Sequence, residues 1–363
     1  MTLSLEIEQN HLQTLLARVI GAVKSRNTIP ILGNVKLTAS DALQAEATDL
    51  DLAVTAKQPA QVTTQGSTTV NAQMLSGIVS KLPKGSLVSL NHDGQYLHIQ
   101  AGRSKFKLAT LPVEDFPVMA SNEYQSRLEF QGLELKNALE KTVWAVSTEE
   151  TRFYLLGVLM QRNEGRATFT ATDGHRLAHY QDGEVPEFPD VIIPTSAVKQ
   201  FIGALNEGDA VLEVSETKVR LTHGDVVIVS KVIDGTFPDW TRVVPKNNDK
   251  SIQLPSVEAK AAIERVSVVA TDRVRSVKFS VSDGELTLSV TDATGGSATE
   301  VLTVEQSGDG VDIGFNSKYT LEALAQADKG NVVIHYADAM SPALVTYEKE
   351  PGFKAVIMPM RIA

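Results

Sequence analysis

Asp173, His175 and Arg176 stand almost side by side in the run Ala171-Thr172-Asp173-Gly174-His175-Arg176-Leu177-Ala178. A carboxylate beside an imidazole can move a proton, and a guanidinium can fix an extended ligand, so acid–base catalysis and binding are both open. Asp173-Gly174 also reads as a tight turn, which by itself would leave the histidine at the surface. The wider inventory favours binding. Of the seven histidines (His11, His92, His98, His175, His179, His223 and His335) only His175 and His179 have helix-like ligand spacing. Their segment reads as turn and strand, so no metal site is expected. The absence of cysteine removes thiolate nucleophiles, disulfides and Cys-based metal sites. There is no Gly-x-x-x-x-Gly-Lys-Ser/Thr loop, no His-Glu-x-x-His and no Gly-x-Ser-x-Gly, and Gly308-Asp309-Gly310 with Gly314 lacks dinucleotide spacing. No cofactor is expected.

A second group of residues suited to binding closes the chain. Val356-Ile357-Met358-Pro359-Met360-Arg361-Ile362 gathers large apolar residues where polar, fraying sequence is usual. The plain account is a last strand packed on its own domain. Its methionines could at the same time line a groove, because thioether side chains adapt to varied ligand shapes.

The elements that must carry these residues come from a chain of 363 residues, 42% hydrophobic and 21% charged, which is globular in composition and long enough for two or three domains. No stretch approaches the roughly 20 apolar residues of a membrane span, and the N-terminal residues lack a signal-peptide pattern, so a soluble, cytoplasmic protein with no membrane partner is expected. A net charge of −10 argues against gripping nucleic acid over the whole surface. Any DNA contact must be local, or must not depend on affinity.

The sequence repeats at a period near 123 residues. Leu75, Ile78 and Val79 recur as Val198, Phe201 and Ile202 and again as Leu321, Leu324 and Ala325, each time at the spacing of one buried helix face. Gly85, Gly208 and Gly330 follow these helices and read as C-caps, and a strand-like run comes after each. Ala47-Thr48-Asp49 recurs as Ala171-Thr172-Asp173 and as Val290-Thr291-Asp292. An amphipathic helix opens each unit, through Leu12, Leu15, Leu16, Val19 and Val23, through Leu135, Leu139, Val143 and Val146, and more weakly across Val257 to Val269. Asp283-Gly284 between alternating runs marks a hairpin. The pattern predicts an α+β chain of three similar domains, 1–122, 127–246 and 251–363, each with two helices and antiparallel sheets.

Where the copies differ, the shared fold makes no demand. After the common Thr-Asp the first copy continues Leu50-Asp51-Leu52 and the third Ala293-Thr294-Gly295-Gly296, so His175 and Arg176 are candidates for function.

Thr151-Arg152-Phe153-Tyr154-Leu155, the run from Ala171 to Ala178, and Met358-Pro359-Met360-Arg361 together resemble the signature of bacterial beta clamps, the DNA polymerase III beta subunits. Ile29-Pro30-Ile31-Leu32-Gly33-Asn34, Phe237-Pro238-Asp239-Trp240 and Gly314-Phe315-Asn316 look like further landmarks, so the resemblance covers essentially the whole chain. It implies a non-catalytic processivity factor with the DNA clamp fold, a head-to-tail homodimer whose six domains close a ring around double-stranded DNA. Twelve helices at about 10 Å each would line a hole of very roughly 28 Å. Arg18, Lys81, Lys136, Lys141, Lys199, Lys260, Arg265 and Lys318 could make that lining positive.

By the same resemblance, partner peptides from the clamp loader, the polymerase alpha subunit, lesion-bypass polymerases and mismatch-repair proteins would bind at Leu155, Thr172, Gly174, His175, Arg176, Leu177, Pro238, Arg242, Val243, Pro342, Val356, Ile357, Met358, Pro359, Met360 and Arg361. DNA contacts would come from Lys24, Arg26, Arg152, Phe153 and Tyr154, although Glu149-Glu150 stands where the family pattern has at least one neutral polar residue. Phe106 and Leu108 would meet Val268 and Val269 at the dimer interface. The competing readings are a metabolic enzyme using Asp173 and His175 as an acid–base pair, and a monomeric peptide-binding adaptor.

Overall fold

The computed structural model describes residues 2–24, 28–119, 124–270, 276–292, 295–327 and 330–361. The chain packs as two compact units, Met1–Lys136 with Val185–Ile233 and Asn137–Glu184 with Asp234–Ala363, so the middle repeat contributes to both.

Two α-helices fall in each repeat: α1 (Gln9–Val19) and α2 (Ala72–Lys81), α3 (Gly132–Val143) and α4 (Thr195–Ala204), α5 (Ser256–Val266) and α6 (Ser317–Leu324). Their apolar faces are core, with Leu12, Leu15, Leu16 and Val19 buried on α1 and Val198 and Phe201 on α4. The third copy shifts its face. α6 ends at Leu324, Ala325 is its C-cap, and Ser317, Thr320, Ala323 and Leu324 are the buried positions.

Gly85, Gly208 and Gly330 are not the C-caps the spacing suggested; Leu82, Leu205 and Ala325 are. The glycines lie in the turn beyond, with φ of +72°, +105° and +142°, where a side chain would be strained. That turn has one job in all three repeats. Its carbonyls accept the first N–H of the opening helix: Gln9 N donates to Ser86 O (2.8 Å), Gly132 N to Gly208 O (2.8 Å) and Ser256 N to Gly330 O (3.0 Å). One of the four orphan donors of a helix start is thereby satisfied by the other half of the repeat.

The strands pair antiparallel. In the first unit Val226–Lys231 of the middle repeat pairs with Leu52–Gln58 of the first, Val226 opposite Ala56 and Ser230 opposite Leu52. The second unit has the equivalent seam, Arg176–Glu184 with Phe353–Ile357, Arg176 opposite Ile357 and Tyr180 opposite Phe353. A smaller sheet of the second unit orders Ser297–Thr303, Glu285–Thr291, Ser276–Ser282 and Val311–Asn316, which leaves Ser297–Thr303 at an edge. Asp283 and Gly284 both have positive φ (52° and 78°), as a two-residue type I′ hairpin requires. Among the described residues no helix is long and apolar enough to cross a membrane.

Candidate peptide-binding site

The Thr-Asp shared by the repeats is turn chemistry. Thr172 Oγ1 donates to Arg176 O (2.6 Å) and accepts from Gly174 N (3.1 Å), while Asp173 Oδ1 accepts from His175 N (2.9 Å) and Arg176 N (3.0 Å). Thr48 and Asp49 hold the first repeat's turn in the same way, through Leu52 O, Leu50 N, Asp51 N and Leu52 N. This turn places a positive-φ residue at its tip, Gly174 at +89° and Leu50 at +80°. Asp173 also receives Arg176 Nε at 3.0 Å. Both its oxygens are therefore committed, and the acid–base pairing with His175 that the spacing allowed is not formed; the His175 ring stacks on Tyr319 instead, centroids 6.4 Å apart.

Arg176 is 8% exposed. Its guanidinium also reaches the Glu322 carboxylate and lies 4.4 Å from the Tyr319 ring centre and 5.2 Å from that of Trp144. Two carboxylates and two aromatic faces compensate the buried charge.

Around this turn opens an apolar cavity of about 220 Å³, room for an apolar side chain or two rather than a whole ligand. Leu155, Thr172, Gly174, Arg176, Leu177, Pro238, Val243, Val356 and Met358 line it, together with Arg152, Tyr154 and Trp240. Trp240 is a wall the sequence marked only as a landmark. It starts a short 3-10 turn (Trp240–Arg242), and its indole N–H donates to Gln161 Oε1 (2.9 Å). Its ring stacks on His179 at 4.0 Å.

Burial, with the nearby Lys354 charge adding to it, pushes the His179 imidazole down to about 3. The folded protein thus keeps His179 neutral where the unfolded chain, titrating near 6.5, takes up a proton. Stability from this residue is fully present above pH 6.5 and falls as the pH drops toward 3. By pH 4.5, two units below the unfolded value at about 1.4 kcal/mol per unit, the loss amounts to about 3 kcal/mol. Wild type is therefore expected to lose several degrees more in Tm between pH 7 and pH 4.5 than His179→Gln, measured by calorimetry.

Other predicted site residues lie beside the cavity. His175 is exposed, but its carbonyl accepts Met358 N at 2.8 Å and so anchors the chain end. Arg242 is 84% exposed and paired with Asp239 at 2.9 Å. Pro342 uses its carbonyl to accept Asn248 Nδ2 (3.0 Å). Ile357 is 2% exposed and belongs to the core, because successive side chains of a strand face opposite ways. Pro359, Met360 and Arg361 continue past the wall, with Met360 N donating to Gly314 O (2.8 Å).

Arg152 and Tyr154, read from the sequence as DNA contacts, stand on the cavity wall. The segment Glu150–Leu155 leaves helical geometry at Arg152 (φ −107°, ψ 56°), which turns the guanidinium toward Gly174. A Cβ on Gly174 would come within 2.7 Å of Arg152 Nη1. Gly174→Ala is expected to cost about 1–2 kcal/mol in urea unfolding from the positive φ alone, and to displace Arg152. Glu149 pairs with Arg152 at 2.9 Å, and Phe153 is exposed. Lys24 pairs with Asp49 at 3.0 Å, and Arg26 lies outside the described residues.

Lys141, expected among cations facing DNA, is 5% exposed and cannot serve there; Arg265 is paired with Glu300. Phe106 and Leu108 line a second apolar groove of about 460 Å³ with Met74, Ile78 and Leu82, while Val268 is 82% exposed just after α5 and Val269 is half-buried. Among the described residues no cluster of His, Cys, Asp or Glu could hold a metal.

Three alike α+β repeats with this cavity at the last seam define a DNA clamp. The DNA polymerase III beta subunit matches domain by domain: its N-terminal domain over residues 3–120, its central domain over 129–239 and its C-terminal domain over 241–361. The beta sliding clamp of Caulobacter vibrioides (strain NA1000 / CB15N) is 41% identical over 99% of this chain and 100% of its own length, and that of Escherichia coli (strain K12) is 32% identical over 98% and 99%. A solved DnaN sliding clamp from Bartonella birtlesii bound to griselimycin has a TM-score of 0.96 at 36% identity, with 100% of both chains covered. A Pseudomonas aeruginosa clamp, also bound to griselimycin, has 0.94 at 30%, again with 100% of each chain covered. The chain belongs to the DNA polymerase III beta subunit family, the beta sliding clamps, whose members are non-catalytic processivity factors.

Proposed function

We propose that two copies of this chain, each of domains 1–122, 127–246 and 251–363, close head to tail into a cytoplasmic ring around duplex DNA, and that the cavity beside Gly174 captures extended segments of the clamp loader, the polymerase alpha subunit, lesion-bypass polymerases and mismatch-repair proteins. One observation carries the ring. Two seams inside the chain join a domain's last strand to the strand that follows the preceding domain's Thr-Asp turn, Val226–Lys231 to Leu52–Gln58 and Phe353–Ile357 to Arg176–Glu184. The same rule leaves one strand of each kind for a second copy, Ser104–Leu111 of the first domain, which beyond its Tyr96–Ala101 partner pairs only at Thr110 and Leu111 among the described residues, and the edge strand Ser297–Thr303 of the third. An edge of this sort invites backbone pairing, and the groove holding Phe106 and Leu108 adds apolar area beside it.

Closure also accounts for the net charge of −10. A topological link holds without strong affinity, and weak screened contacts permit sliding. The Bartonella and Pseudomonas clamps bind griselimycin, which makes that ligand a probe for the cavity. The deciding experiment loads labelled protein onto nicked circular DNA with its ATP-driven loader and then cuts the circle once. Release on cutting is the expected result; equal retention on linear DNA would return the chain to an affinity-based adaptor.

A further inference from the structure

Lys141 is the most deeply buried cation outside the cavity wall among the described residues, and nothing assigned above uses it. Its ammonium, on α3, meets Glu350 Oε1 at 2.7 Å, donates to the carbonyl of Gln326 and lies 5.6 Å from the Phe353 ring centre. Those three partners sit at informative places. Gln326 follows the end of α6, Glu350 holds the turn that opens the last strand, accepting Phe353 N at 2.9 Å, and Phe353 is the first residue of that strand. One side chain therefore ties α3 to the last strand, which brings Val356 to the cavity, and to α6, whose Tyr319 and Glu322 hold Arg176.

Two connections run onward from Lys141 to Arg176. Along α3, the Trp144 indole N–H donates to Lys141 O (2.7 Å) and its ring covers the Arg176 guanidinium. Through α6, Gln326 Nε2 donates to Glu322 O (3.1 Å), and Glu322 receives Arg176 while Tyr319 stacks on it. A buried ion pair gains little or nothing in stability over apolar residues of equal volume. A methionine would fill this space more cheaply, so the arrangement is accounted for by the geometry it fixes.

We propose that Lys141 is a positioning residue for the peptide cavity, clasping the end of α6 and the start of the last strand to α3 so that Arg176, Val356 and Met358 are held ready before a ligand arrives. This rests on the cavity reading above. A site held in its bound shape avoids the ordering cost of binding, and that is where the clasp acts.

The test measures griselimycin affinity by calorimetry on the full chain. Lys141→Met alone leaves the half-buried Glu350 carboxylate without its cation and is expected to lower Tm, so the informative protein is Lys141→Met/Glu350→Gln, in which neither charge of the pair remains. Its Tm should return to within a few degrees of wild type while griselimycin binds at least fivefold more weakly. Glu350→Gln alone keeps the ammonium on the Gln326 carbonyl and should lose less than the double variant. A double variant that binds within twofold of wild type, or affinities that simply follow Tm across the three variants, would overturn the proposal. Wild type failing to bind griselimycin at all would sink the cavity reading, and the clasp with it.

Discussion

Met358→Ala/Val243→Ala should bind griselimycin on the order of 100-fold more weakly than wild type, with little change in Tm. Both side chains line the cavity beside Gly174, and neither is core: Met358 is half-buried and Val243 is 41% exposed. Truncating an apolar residue that an anchor packs against costs about 1.4 kcal/mol, a factor of ten each, whereas core packing, which sets Tm, is left almost whole. The pairing separates binding from folding, which deletion of the last strand could not do because Val356 and Ile357 are fully buried. Titration calorimetry reads the affinity and scanning calorimetry the Tm. Wild-type affinity in this variant would mean that griselimycin, and by extension a partner peptide, binds elsewhere on this chain.

The second large effect belongs to assembly. Val268→Asp is expected to convert a two-chain species into single chains at micromolar concentration, read by sedimentation equilibrium. Val268 is 82% exposed in the chain by itself, so a charge there costs the isolated fold no more than about 0.5 kcal/mol. In a closed ring it would be buried against the groove of Phe106 and Leu108, and burying an unpaired carboxylate in apolar surroundings costs several kcal/mol. A ring of two copies would have two such junctions, so one substitution would be felt twice. An unchanged two-chain mass would move the interface away from Val268.

Much of this was legible because the chain contains its own comparison. Leu75, Val198 and Leu321 recur at one interval, and all three fall on helices, with Leu75 and Val198 buried and Leu321 half-buried. What the interval could not tell was which strands meet across repeats: Val226–Lys231 and Leu52–Gln58 each read as an ordinary alternating strand, and only tertiary packing pairs them. The glycines at 85, 208 and 330 follow helices, as C-caps do, yet their positive φ serves a turn several residues later. Lys141 misled for a related reason. A lysine bordering an amphipathic face is ordinarily solvated, but Gln326 and Glu350 cover this one from 185 and 209 residues away in sequence. At the cavity the sequence marks Leu177, Val356 and Met358, but gives no sign that Arg152 and Tyr154 share its wall, because the departure from helical geometry at Arg152 is invisible in residue types.

The seams between repeats also set a timetable for synthesis. Ala56 finds its partner Val226 about 170 residues later, and Tyr180 waits as long for Phe353. At bacterial elongation rates that gap lasts roughly 10–30 s. During it each nascent chain carries a finished domain with a bare strand flank, able to pair with the same flank on a neighbouring ribosome's product. The joints that make the mature protein continuous are thus the places where a crowded polysome would entangle it, and a chaperone that shields Leu52–Gln58 until Val226 emerges would raise the yield of folded chain.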